Sequence, residues 1–383
     1  MRRLGILAIA ALLAAAACTS SSTSSTSSSV VPTSVPSSPT PVTTLANGHP
    51  LPQGCTGTAR TSQTVAFVAE GRAWALDPST HRLTCLFTTS DPGPFAWGPQ
   101  GDRVLLGGFQ IEGLDPAAPT LAAPSPPPAT FGWGHPIGLA IVFTSTGSTA
   151  PEKLFTDDGH VEDLPGLPSG RYLEIAYHPS GLALGFILQR GHQQSIWIST
   201  NEGQDPQRLV FANPGTRFTS IAFSPDGKQL WWTAEHSGVP VLHRMDLGNR
   251  TTFTDVWQGA EGSKADDLQI APDGALKSLN TGTTCADRQA LVVAGGSASR
   301  AMPFETRPTT ALGWLDDTTL LVSAGDCDEP AELFAVDAHV GGQAVALVTG
   351  IEQAAPRTAV QDAPTSVPAP GSSDIEAPPG GVG

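Results

Sequence analysis

The sequence predicts an all-β fold, a β-propeller built from four-stranded antiparallel sheets. The first observation is a repeated motif, in which a bulky apolar residue ends a short strand and a Pro-x-Gly turn follows, as in Phe-Ser-Pro-Asp-Gly at 223–227. The second is that short alternating segments bounded by Gly, Pro, Asp and Asn follow the copies, while helical periodicity is weak. A small sheet buries one face only by packing on its neighbours, so a ring of such sheets completes the burial.

The apolar residue before each turn is predicted to pack between neighbouring blades near the central axis. These repeat-packing residues are Trp97, Trp133, Tyr177, Phe223, Ile270 and Trp314. They are separated by 36, 44, 46, 47 and 44 residues, close to the ~40–45 residues of a four-stranded propeller blade. The spacing therefore supports a propeller rather than two unrelated domains.

The number of blades follows less directly from the repeat. Six anchored units are present, and residues 64–88 form a further unit without an obvious first strand. We therefore expect seven blades, with six as the alternative. The missing strand can come from residues 55–62 or from the segment after Gly350, which would close the ring between the two chain ends.

The N-terminus has the pattern of an export signal. Arg2 and Arg3 precede an apolar stretch that is too short to span a bilayer, which predicts a signal peptide over residues 1–17. The string Ala-Ala-Ala-Cys at 15–18 resembles the bacterial lipobox, which implies lipidation of Cys18, although the lipobox usually has leucine where Ala15 stands. The alternative is an ordinary secretory signal followed by a chance cysteine.

Composition divides the rest of the chain into three parts. Residues 18–54 are rich in Ser, Thr and Pro and predict a disordered tether, residues 55–352 are assigned to the propeller, and residues 353–383 predict a disordered Pro/Ala/Gly-rich tail. The formal charge of −15 becomes −17 once Arg2 and Arg3 are removed with the signal. Together with the lack of a basic run, this charge argues against nucleic acid as a partner.

Four cysteines remain after Cys18, and an even number in an exported protein predicts two disulfides. They are Cys55, Cys85, Cys285 and Cys327. Three pairings are possible. The geometrically simplest joins Cys55 to Cys85 and Cys285 to Cys327, because the first two lie around the first repeat and the other two lie at matching offsets in the last two repeats.

The Pro-x-Gly motif at 223–227, with copies at 97–101, 177–181 and 270–274, resembles the WD40-like repeat of TolB-type propellers. The resemblance covers about 290 residues and implies the propeller fold. It says little about activity, because one fold serves many functions. The chain departs from TolB in having no room for its additional N-terminal α/β domain, and actinobacterial envelope lipoproteins with similar propellers are closer in composition.

No catalytic motif is found in the sequence. It contains no Gly-x-Ser-x-Gly, no His-Glu-x-x-His and no phosphate loop, so no enzyme activity, cofactor or metal is predicted. His135 and His178 could both lie at one end of the central channel. We prefer the interpretation that they occupy a turn position of the repeat at which the residue type varies. The acidic pairs, such as the one at 266–267, are expected to be solvated turns, and the tryptophans to be mostly core residues.

The sequence thus predicts a protein-interaction or scaffold module of the cell envelope, lipid-anchored on the outer face of the cytoplasmic membrane. Its expected partners are an envelope protein or polymer and, through the anchor, the membrane. One alternative is a glycan or solute receptor, which predicts an exposed aromatic cluster on one rim. The other is a lyase, lactonase or hydrolase, which predicts His and acidic side chains converging at one channel mouth.

Overall fold

A computed structural model describes residues 43–46, 48, 50–52, 55, 63–89, 96–98, 103–106, 110–113, 128–133, 140–145, 147–156, 158–339 and 343–356. The predicted signal peptide, Cys18 and most of the predicted tether and tail lie outside these residues. None of the helices in the described part of the chain has the length and apolar character needed to cross a bilayer.

The described strands number 28. In chain order they are β1 (Thr44–Leu45), β2 (Val65–Ala69), β3 (Arg72–Leu76), β4 (Leu83–Thr88), β5 (Ala96–Trp97), β6 (Arg103–Leu106), β7 (Gln110–Gly113), β8 (Pro128–Trp133), β9 (Ala140–Ser145), β10 (Glu152–Phe155), β11 (Val161–Asp163), β12 (Arg171–Tyr177), β13 (Ala183–Arg190), β14 (Gln193–Thr200), β15 (Gln207–Phe211), β16 (Thr216–Phe223), β17 (Gln229–His236), β18 (Val239–Asp246), β19 (Thr251–Gln258), β20 (Ala265–Ile270), β21 (Lys277–Thr281), β22 (Gln289–Ala294), β23 (Ser297–Arg300), β24 (Thr309–Trp314), β25 (Thr319–Ala324), β26 (Ala331–Asp337), β27 (Ala344–Ile351) and β28 (Gln353–Pro356).

These strands form antiparallel sheets, which we number in chain order. They are sheet 1 (β28-β2-β3-β4), sheet 2 (β5-β6-β7), sheet 3 (β8 to β11), sheet 4 (β12 to β15), sheet 5 (β16 to β19), sheet 6 (β20 to β23) and sheet 7 (β24 to β27, with β1 on its outer edge). Six sheets are four-stranded propeller blades, and sheet 2 has three described strands. The all-β propeller is confirmed, but the expectation of seven four-stranded blades is not.

The inner strands meet around a central axis, and the ring is closed between the two chain ends. β28 supplies the innermost strand of sheet 1, where Ala354 lies opposite Phe67 and Ala355 opposite Ala66. The segment after Gly350 therefore provides the missing strand, as one of the two sequence alternatives proposed. β28 also contacts β5 on one side and β24 on the other, so it links sheets 1, 2 and 7.

The N-terminal segment reinforces this closure from outside. Thr44 and Leu45 pair with Thr349 and Val348 of β27, and the Leu45 side chain is buried in the cluster between sheets 1 and 7. The Thr43 backbone N–H donates to Glu70 Oε1 over 3.1 Å. β1 and β28 thus lie outside the predicted 55–352 propeller boundaries, because both chain ends take part in joining the first and last sheets.

Hydrophobic clusters lie between neighbouring sheets throughout the described ring. The cluster of sheets 4 and 5, for example, contains Ile187, Phe218 and Trp232, and that of sheets 6 and 7 contains Trp314. Burying apolar side chains between sheets is the main stabilising contribution in such a ring, at about 25 cal/mol per Å² of apolar surface.

Candidate functional site

The Pro-x-Gly turns connect the first and second strands of several sheets and share one geometry. In each, the glycine N–H donates to the carbonyl three residues earlier, as from Gly227 to Ser224 over 2.8 Å. Gly227 has a φ of 70°, and a Cβ atom there would lie 2.2 Å from the His178 imidazole of sheet 4. Glycine is therefore required both by the turn and by the close packing of the two sheets.

The inner strands of sheets 4 to 6 are joined by a chain of polar contacts, which we call the inner polar ring. Ser220 Oγ donates to Glu174 Oε1 over 2.9 Å and accepts from the Leu268 N–H over 3.0 Å. Ser220 is fully buried, and Glu174 is half-buried. One hydroxyl thus connects three consecutive sheets.

The polar ring continues from sheet 6 to sheet 7 through Asn280. Its side-chain amide accepts from the Ala311 N–H over 2.7 Å, donates to the Ala311 carbonyl over 3.2 Å, and donates to Asp267 over 3.1 Å. Arg288 completes the cluster by donating to Asp266 at 2.8 Å and Asp267 at 2.6 Å. The Asp266–Asp267 pair therefore belongs to an ion-pair network rather than to a freely solvated turn.

The charges of this ring determine what chemistry it can perform. Burial raises the pKa of Glu174 to about 8, and the nearby carboxylates of Asp267 and Asp266 act in the same direction against the hydrogen bonds from Ser220 and the Ile221 N–H. Burial and the Asp267 charge likewise raise the pKa of Asp266. At neutral pH Glu174 is therefore a protonated hydrogen-bonding group and not a general base for Ser220.

A different feature, which we call the rim groove, lies between sheets 4 and 5. It has a volume of about 390 Å³, and half of its ten lining residues are aliphatic. The lining residues are Leu182, Ala183, Ile198, Ser199, Thr200, Asp205, Gln207, Leu209, Leu247 and Arg250. Leu182, at 45% exposure, is one of the exposed large apolar residues of the protein.

Comparison with known proteins bears on the fold. No protein-family model matches the chain, and no curated protein matches it. The solved structure of TolB from Acinetobacter baumannii is 14% identical with a TM-score of 0.47, and the match covers 79% of this chain and 67% of that one. A prolyl endopeptidase is 12% identical with a TM-score of 0.54, over 76% of this chain and 50% of that one. An oligogalacturonate lyase in complex with manganese is 13% identical with a TM-score of 0.49, over 74% and 83%.

The chain is a β-propeller. At 12% identity the likeness to the prolyl endopeptidase concerns the fold alone, and one fold serves many functions. The activity of this propeller must therefore be inferred from its own side chains.

The predicted repeat-packing residues lie at the ends of inner strands. Trp97, Phe223 and Trp314 are buried, and the other three are partly buried. Trp314 belongs to the cluster between sheets 6 and 7, and Phe223 to that between sheets 4 and 5. All eight tryptophans are buried or partly buried, so an exposed tryptophan platform for a glycan is absent.

Both predicted disulfides are confirmed. Cys55 bonds to Cys85 with Cα atoms 4.5 Å apart, and Cys285 bonds to Cys327 with Cα atoms 5.8 Å apart. The first attaches the N-terminal segment to β4, and the second joins loops of sheets 6 and 7. Cys18, the predicted lipidation site, lies outside the described residues.

His178 has a structural role in the contact between sheets 4 and 5. Its Nε2–H donates to the Gly227 carbonyl over 2.9 Å, and its Nδ1 accepts from the Ser180 N–H over 3.1 Å. Burial lowers the pKa of this imidazole, which favours the neutral form that these contacts use. His135 lies outside the described residues, and within those residues no group of three or more His, Cys, Asp or Glu is placed to hold a metal ion.

The motif analysis missed Glu174 and the rest of the inner polar ring. A signal was present, because the position three residues before the repeat-packing residue is polar in four units: Thr130, Glu174, Ser220 and Asp267. In the next unit this position is Ala311, whose backbone is held by Asn280. A polar residue at a fixed offset from a buried anchor indicates contact between inner strands.

Proposed function

We propose that this protein is an exported, lipid-anchored β-propeller that acts as a protein-interaction module of the cell envelope. The observation that carries the proposal is the rim groove, an accessible concavity between two sheets with five aliphatic residues in its lining. Accessible apolar concavities on soluble folds commonly mark interaction sites. The lipobox-like string before Cys18 supports attachment to the outer face of the cytoplasmic membrane.

The inner polar ring supports an interaction module over a channel-site enzyme. Ser220 lies beside a carboxyl group, but at neutral pH Glu174 retains its proton and donates or accepts hydrogen bonds without taking the hydroxyl proton. Asp266 and Asp267 are held by Arg288. These contacts hold strands and neighbouring sheets of the propeller together, which is a structural role.

The proposal is tested in cells that produce the native protein and a Cys18→Ala variant. We expect the native form to carry lipid by intact mass and to fractionate with membranes, and the variant to be released. Proximity labelling from the native protein should enrich the same envelope protein reproducibly. A native protein that is soluble and without lipid would refute the anchor, and a labelled set no different from that of an unrelated exported protein would refute the interaction module.

A further inference from the structure

The rim groove combines apolar and charged groups in a way that indicates the chemistry of its occupant. Ile198 and Leu209 of sheet 4 and Leu247 of sheet 5 are partly exposed along it, and Leu182 is exposed at its edge. These side chains provide an aliphatic surface that spans two sheets. An aliphatic side chain of a partner would bury this surface together with its own.

Leu182 is unusual for its position in the repeat. It directly follows the Pro-x-Gly turn of sheet 4, where sheet 5 has Lys228 and sheet 6 has Ala275. At 45% exposure, the Leu182 side chain gains little free energy of folding from burial at this turn. Leu182 therefore provides apolar surface that the turn itself does not need.

The charged groups of the groove distinguish between partners. Among the described residues, no hydrogen bond or ion pair engages the exposed Asp205 carboxylate, whereas Arg250 already donates to Gln207 of the neighbouring sheet. Arg250 keeps its positive charge, because Gln207 is a neutral acceptor, but the Asp205 carboxylate has no such contact within the described part of the chain and is available to a partner. The protein as a whole carries a formal charge of −15, and this long-range charge favours a cationic partner for Asp205.

The groove includes residues of an edge strand, which is a place where an extended segment can bind. Gln207 and Leu209 belong to β15, the last strand of sheet 4, and its outer edge has no neighbouring strand among the described residues. A peptide lying there can pair with the strand edge while it places a side chain into the groove. The volume of about 390 Å³ is at the lower end of the range for ligand sites, which suits one or two side chains.

We propose that the rim groove binds an extended peptide segment of a partner protein in which an aliphatic residue is followed closely by lysine or arginine. The aliphatic side chain lies on Leu182, Leu209 and Leu247, and the basic side chain pairs with Asp205. This inference rests on the proposed interaction function and adds its site and the sequence character of the partner.

The test uses the full chain with Cys18→Ala, to keep it free of lipid, and a random 12-residue peptide library displayed on phage. Enriched peptides are synthesised and their affinities measured by fluorescence polarisation. We expect an aliphatic residue near a basic one in the enriched set. Leu182→Lys, which installs the residue of the sheet 5 turn, should weaken binding at least about tenfold, and Asp205→Asn about fivefold with a reduced salt dependence.

Asp328→Asn is the matched control, because Asp328 is also exposed and also has a positive φ, of 65° against 50° for Asp205. It should leave the affinity unchanged. The groove proposal is overturned if no peptide is enriched, if the enriched peptides lack basic residues, or if they bind Leu182→Lys as tightly as the parent. A labelled envelope partner that binds Leu182→Lys normally would overturn the groove but leave the interaction function standing.

Discussion

Glu174 offers a direct test of the inner polar ring through the pH dependence of stability. The change is Glu174→Gln, which keeps an oxygen that can accept from Ser220 Oγ but removes the ionisable group. In the native protein this carboxyl has a pKa of about 8, whereas the unfolded chain ionises it near the usual 4.5. The unfolded state therefore loses its proton first as the pH rises.

The size of the effect follows from the two pKa values. Each pH unit between them lowers the free energy of unfolding by about 1.4 kcal/mol, so a pKa of about 8 against 4.5 corresponds to at most about 5 kcal/mol. Over the three pH units from 5 to 8 this amounts to about 3 to 4 kcal/mol, because the change is incomplete near each pKa. The decrease in the free energy of unfolding is complete well above the pKa of Glu174 in the folded state, and it is absent well below the pKa in the unfolded state.

The assay is urea unfolding of the native protein and the variant at pH 5, 6.5, 8 and 9, followed by tryptophan fluorescence. Relative to native, Glu174→Gln should gain about 3 to 4 kcal/mol in its free energy of unfolding between pH 5 and 8 and little more at pH 9. Glu261→Gln, a change at an exposed glutamate, serves as the control and should run parallel to native. Parallel curves for native and Glu174→Gln over this range would refute the proposed environment of Glu174.

Three further predictions concern the ring itself. Gly227→Ala should destabilise the protein by about 2 to 4 kcal/mol in thermal unfolding, because the Gly227 backbone is left-handed and an added Cβ meets the His178 imidazole. An unchanged melting temperature would contradict this. Replacing Cys285 and Cys327 together by alanine should lower the free energy of unfolding in urea by at most about 4 kcal/mol, since the disulfide closes a loop with a sequence separation of 42. A change below the error of the measurement would show that the cross-link constrains neither the folded nor the unfolded state. Deleting residues 353–383, which include β28, should abolish cooperative unfolding as measured by circular dichroism. Deleting residues 357–383, which leaves β28 in place, should preserve it. Equal behaviour of the two deletions would argue against ring closure by β28.

Local sequence signals predicted much of the fold. The Pro-x-Gly turns are encoded within a few residues, so their positions and the anchor residues beside them could be located without a structure. The disulfides followed from cysteine number and position in the repeat. Ring closure by the segment after Gly350 was foreseen as one of two options, because a ring of repeats must join its ends.

Contacts between sheets were harder to predict. The role of Glu174 depends on Ser220, 46 residues away, and on a shift of strand register between Tyr172 and Glu174 that the repeat spacing does not reveal. The two-residue strand β1 is also too short for a pattern, and its position depends on pairing with β27 about 300 residues later. The rim groove arises in the same way, from turns of two sheets brought together.

The attachment of the N-terminal segment determines how the propeller would bear mechanical load. Tension on a chain held at its N-terminus would pass through Thr43 to β1. The two residue pairs between β1 and β27 would separate first. The load would then reach the covalent Cys55–Cys85 link and pass to β4. At most about 40 Å of chain would be released before that point. Because sheets 4 and 5 lie away from this route, the rim groove would keep its shape while the N-terminus is pulled.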